Sequence, residues 1–76
     1  MITRQMEINS GKLKQCIKRI SQGSGYTEKE LAENAGLGIN TIYFWRTGRS
    51  VPTIQLFLCF LDAAGYRLVV EKKEGD

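Results

Sequence analysis

The sequence predicts a mainly α domain of four helices followed by a single C-terminal β-strand, and three observations carry that expectation. Apolar residues recur with helical spacing over most of the chain. Threonines at 27 and 53 stand where helices would be capped, and glycines at 36, 48 and 65 stand where they would stop. After Gly65 the pattern changes to β-branched and aromatic residues in alternation. With 76 residues, 42% of them hydrophobic, the chain suffices for one small core and one domain, residues 1–76. The helical body spans about 10–65 and the strand about 66–73.

Residues 1–9 have no strong period, although Ile2, Met6 and Ile8 offer apolar docking points. From about Ser10, Leu13, Cys16, Ile17 and Ile20 fall at i, i+3, i+4 and i+7, largely apart from Lys12, Lys14, Lys18 and Arg19. Gly23-Ser24-Gly25 ends that helix. Thr27 followed by Glu30 is a capping box, in which hydroxyl and carboxylate satisfy each other's backbone N–H. Leu31, Ala32 and Ala35 then share a face, and Gly36 fits a left-handed C-terminal cap. A helix restarting by about Ile39 buries Ile42 and Trp45, leaving Asn40, Thr41, Tyr43 and Phe44 wholly or partly outward. Thr53 caps a fourth helix running to about Ala64. Ile54, Phe57, Leu58 and Leu61 are its expected core face, and Leu56, Cys59 and Phe60 make it apolar over much of its circumference. Beyond Gly65, Tyr66, Leu68 and Val70 share one face of a strand that needs a pairing partner: the N-terminal segment, or its own copy in a second subunit.

Composition excludes several classes. No apolar run approaches the roughly 20 residues of a membrane span, and no signal peptide opens the chain, so a soluble, cytoplasmic protein is expected. Cys16 and Cys59 sit in apolar helical patterns and read as buried free thiols rather than a disulfide. The chain has no His, so a zinc-type metal site lacks its ligands and no cofactor is expected. No nucleophile stands beside a plausible base and no glycine-rich phosphate loop follows a strand, which argues against an enzyme. Eleven basic residues oppose eight acidic ones, a net +3 that permits nucleic-acid binding. Residues 1–65 hold eight basic and five acidic groups, whereas residues 66–76 balance three against three.

A capped helix, a glycine-containing turn, a second short helix and a Gly48-Arg49 exit have the spacing of a helix-turn-helix, a unit that docks in a DNA groove. The chain resembles the lambda-repressor-like helix-turn-helix family, the Cro and repressor type also called XRE-like, over about residues 13–65. The resemblance rests on Gly25-Tyr26-Thr27, Glu30-Leu31-Ala32, Ala35-Gly36-Leu37, Thr41-Ile42, Trp45, Gly48-Arg49, Pro52-Thr53-Ile54 and Gly65 together. It implies a bundle of four or five helices that binds double-stranded DNA as a homodimer. The helix from about 39 to 47 would enter the major groove, with the helix from Thr27 across the backbone. Three positions depart from the family's usual residues. Glu28 stands where Gln is common, Gly38 where Ser or Thr is common, and Arg46 where Glu is common.

On this reading Asn40 is the first candidate for reading a base, its amide matching adenine N6 and N7. Phe44, Ile39 and Tyr43 are further base-reading candidates, each with packing or ordinary surface exposure as its alternative. Thr27, Thr41, Arg46, Thr47 and Arg49 are candidate phosphate contacts, with Glu30 and Glu33 as alternative partners for Arg46. Trp45 is expected in the core. Phe60, Tyr66, Leu68 and Val70 are expected at the dimer interface. The function expected is a sequence-specific transcriptional regulator, a repressor of prophage or antitoxin type, with a toxin partner in the latter case. The alternative is a protein-interaction module on the same fold, favoured by apolar Ile39, Tyr43 and Phe44 and by Glu28.

Overall fold

A computed structural model describes residues 6–72 and is mainly α. A single 3-10 turn, Ser10–Lys12, leads into α1, Leu13–Gly23; α2 is Glu28–Ala35, α3 Thr41–Thr47 and α4 Ile54–Ala64. The helix starts follow from local chemistry. Thr27 caps α2 with both halves of the capping box in place: Thr27 Oγ1 accepts from the Glu30 N–H at 3.1 Å, and Glu30 Oε1 accepts from the Thr27 N–H at 2.9 Å. Thr53 caps α4 by accepting from the Leu56 N–H at 3.2 Å. Gly36 ends α2 at φ 74°, a left-handed conformation that favours glycine, and the Leu37 N–H then reaches back to the Ala32 carbonyl at 2.8 Å. The chain turns through residues 36–40 and enters α3, where Thr41 N–H donates to the Gly38 carbonyl at 3.0 Å.

The core joins all four helices. Ile17 and Ile20 of α1, Leu31 and Ala32 of α2, Ile42 and Trp45 of α3, and Phe57, Phe60, Leu61 and Ala64 of α4 form one buried cluster. Trp45 meets Phe60 edge-on with ring centroids 5.8 Å apart. Each of the fully enclosed side chains Ile17, Ile20, Leu31, Ile42 and Phe60 contributes about 1.5–3 kcal/mol by leaving water. Within the cluster α2 packs chiefly on α4, and α1 on α3. Met6, Ile8 and Leu13 cover its edge, so the segment ahead of the first helix docks against the bundle. Ile2 lies outside the described residues.

Three expectations are corrected by this packing. The face that α4 buries is Phe57, Phe60, Leu61 and Ala64, not the one beginning at Ile54; Ile54 and Leu58 are exposed. Both stripes obey helical spacing, and the one carrying two phenylalanines removes more apolar area from water. Phe60 is therefore 0% exposed inside its own chain and leaves the set of dimer-interface residues. Cys59, expected to be buried, is exposed, whereas Cys16 is buried, its thiol 3.6 Å from the Glu7 carbonyl; both are free.

Among the described residues no strand forms. Residues 66–72, most of the expected strand, run on from α4 without regular structure, and residues 6–9 do not pair with them. Lys73 lies outside the described residues. The Tyr66 N–H closes the end of α4 by donating to the Leu61 carbonyl at 2.8 Å. The Tyr66 hydroxyl rests on α1, so close that a Cβ at Gly23 would approach it to 2.7 Å. After that anchor, Leu68, Val69 and Val70 are exposed, Val70 at 90%. No helix of the described residues is long and apolar enough to cross a membrane.

Candidate nucleic-acid interface

The outward face of α3 follows from the inward one. Ile42 and Trp45 face the core three residues apart, which leaves Tyr43 exposed and Thr41 and Phe44 half-buried. Asn40 is the residue ahead of the helix and its side chain makes no capping hydrogen bond. The amide of Asn40 is thus exposed, with its donor and acceptor both free of the backbone. Ile39, just before it, is 60% exposed. The Tyr43 and Phe44 rings lie 5.8 Å apart and tilted by 55°. Each ring carries a guanidinium: Arg46 sits 5.3 Å from the Tyr43 centroid and Arg49 5.7 Å from that of Phe44. Stacking of this kind holds an arginine by its face and leaves the N–H groups around its edge to meet an acceptor.

Of the candidate phosphate contacts, Arg49 is exposed and its backbone N–H is anchored to the Phe44 carbonyl at 2.9 Å, so its loop is fixed to the end of α3. Thr41 is half-buried, its hydroxyl so near Gly38 that a Cβ there would stand 3.1 Å from it. Glycine at 38 thus leaves room for the Thr41 hydroxyl. Thr27 is exposed at the α2 cap, with its oxygen engaged by Glu30 as described. Thr47 is placed differently from its expected role. Its hydroxyl donates to the Tyr43 carbonyl at 2.9 Å, so its one proton is held inside α3 and it presents no free donor.

Arg46 is also engaged. Its Nε donates to Glu28 Oε2 at 2.6 Å and its Nη2 to Glu28 Oε1 at 3.4 Å, tying the last turn of α3 to the first residue of α2. The partner is Glu28, not Glu30 or Glu33. Two of the chain's three departures from the resemblance are therefore the two halves of one ion pair. The hydrogen bond from Arg46 to Glu28, followed by the carboxylate's charge, holds the guanidinium pKa above its usual value, so Arg46 is cationic at any ordinary pH.

Two lysines of α1 join this surface without any signal in the sequence. Lys18 lines a cleft of about 320 Å³ with Tyr26, Thr27, Glu28 and Arg46. Lys14 lies across Gly48, where a Cβ would come within 2.9 Å of its side chain. Glycine is favoured at 48 by its φ of 83°, while the Lys14 side chain is flexible enough to give way. Lys14 brings its ammonium to the C-terminal end of α3, where free carbonyls favour a cation. Among the described residues no group of acidic, Cys or His side chains is arranged to hold a metal ion.

In comparisons with protein-family models, with curated proteins and with solved structures, the chain has no match.

Proposed function

We propose that this chain is a sequence-specific DNA-binding transcriptional regulator of the lambda-repressor-like helix-turn-helix type, a repressor of the prophage or antitoxin kind acting in the cytoplasm. The observation that carries the reading is the outward face of α3, where an uncapped Asn40 amide leads a ridge of Tyr43 and Phe44 that ends in Arg49. An α-helix with its side chains is about 10–12 Å across, which a major groove about 12 Å wide admits, so α3 can present its outward face there. Asn40 would read adenine, the aromatic rings and Ile39 would meet thymine methyls, and Arg49 with Lys14 would grip the flanking phosphates.

The same reading includes a homodimer. Tyr66, Leu68 and Val70 lie on the exposed segment after α4, and Ile54 and Leu58 are exposed apolar residues of α4 itself. Residues 66–73 would become a strand by pairing with their own copy, which supplies a ladder absent among the described residues. Two copies of α3 would then stand about 34 Å apart, one turn of DNA.

A protein-interaction module is the second reading, favoured by the exposed side chain of Ile39 and by Glu28 neutralising Arg46. Titrating isotope-labelled protein with duplex DNA separates the two. DNA binding shifts the amide resonances of residues 38–49; their silence, with the protein folded, would refute the proposal.

A further inference from the structure

We propose that Glu28 is an internal competitor for Arg46: its carboxylate occupies the guanidinium fork that a DNA backbone phosphate would otherwise take. The inference rests on the DNA-binding reading above and concerns how that surface is tuned. Both partners present planar, two-point geometry, with contacts of 2.6 and 3.4 Å, and a phosphate offers the fork the same pair of anionic oxygens. The pair is not sealed away. The side chains of Arg46 and Glu28 are 33% and 32% exposed, so an incoming anion can reach the same donors. An exposed ion pair is held weakly against water and salt, which makes exchange of one anion for another inexpensive.

The surroundings decide which way this acts. Lys18 and Arg46 are the cations lining the cleft and Glu28 its anion, while Ser21, Gln22, Tyr26 and Thr27 complete the wall with neutral groups. A phosphate entering there meets a net charge of one cation rather than two, and it must either displace Glu28 or leave Arg46 where it is. If Glu28 is displaced, its carboxylate stays at the start of α2, beside the phosphate that displaced it, and repels it. Both routes lower affinity for any DNA, since Glu28 acts through the charge and donors of Arg46 and not through the Asn40 amide. Glu28 thereby limits non-specific binding while Asn40 and Phe44 retain discrimination.

The test is a salt titration of binding to random-sequence duplex and to a selected site, using the full chain, Glu28→Gln, and the double variant Glu28→Gln/Arg46→Gln. Gln keeps the shape of Glu28 and removes its charge. Glu28→Gln is expected to bind both DNAs several-fold more tightly at low salt. It should also steepen the slope of log affinity against log salt by about one unit, one further phosphate neutralised. Between about 50 and 200 mM salt that slope costs the variant about 3.5-fold more affinity than the unaltered chain loses. The double variant should lose the gain and the extra slope together. An unchanged slope in Glu28→Gln, or a gain that survives removal of Arg46, overturns the inference while leaving the DNA-binding reading intact. Absence of DNA binding by every variant, each folded by circular dichroism, overturns both.

Discussion

Replacing Phe60 with alanine distinguishes a core residue from an interface residue, the two roles that sequence and structure assign to it. Phe60 has no exposed surface and touches two further rings of the core, Trp45 at 5.8 Å edge-on and Phe57 at 6.1 Å. Truncating a buried phenylalanine costs about 3–5 kcal/mol, because transfer energy is lost and the cavity is only partly refilled. A chain of 76 residues has a total stability of about 4–11 kcal/mol at roughly 0.05–0.15 kcal/mol per residue. Phe60→Ala therefore removes between a quarter and all of it. Urea denaturation followed by circular dichroism should show the midpoint falling by about 3–5 M, or no folded baseline, for a slope near 1 kcal/mol/M. Leu58→Lys is the control: on the exposed flank of α4, it should change the stability of dilute protein by no more than about 0.5 kcal/mol. A Phe60→Ala protein with an unchanged midpoint and altered only in its assembled mass would refute this placement.

Asn40→Ala should weaken binding to a selected DNA site by about 1–3 kcal/mol and relax preference at one base pair per half-site, with little change on random DNA. Equal loss on both, measured by fluorescence anisotropy, would remove Asn40 from base reading. Arg49→Ala should weaken binding to all DNA and lower the salt slope by about one unit; an unaltered slope would place Arg49 outside the interface. The Thr27 backbone N–H, and secondarily its hydroxyl, hold the Glu30 carboxyl below its usual pKa of 4.5. A lowered folded-state pKa gives stability that is present above the usual carboxylate range and lost as pH falls through the folded value. Thermal midpoints of the unaltered chain should therefore drop on acidification below about pH 4.5, with part of that drop missing in Glu30→Gln. Truncation after Gly65 should yield a monomer by light scattering, and an undiminished dimer would show that residues 66–76 do not hold it.

Local chemistry made the helices legible. Thr27 with Glu30, Thr53, and the glycines at 36, 48 and 65 each act within a few residues, so both helix starts and all three stops stand where the sequence places them. The outward placement of Asn40 and Tyr43 was legible for the same reason, since Ile42 and Trp45 fix the rotation of α3. What α4 buries was not legible. Its apolar residues run nearly all the way round, and the facing surfaces of α2 and α1, with Trp45 of α3, choose Phe57 and Phe60 over Ile54 and Leu58. The Glu28–Arg46 pair joins residues 18 apart, and Lys14 reaches Gly48 from another helix; contacts of that range leave no periodic trace. The segment after Gly65 shows the remaining limit. Alternation records a capacity for strand, while a ladder needs a partner, and none pairs with it among the described residues.

Selection of bound sequences from a random duplex DNA pool by the purified full-length protein tests the central claim most directly. The account predicts enrichment of a pseudo-palindrome whose half-sites are centred about 10 base pairs apart, each with an adenine whose enrichment disappears in Asn40→Ala. A folded protein that enriches no sequence over the starting pool would contradict it.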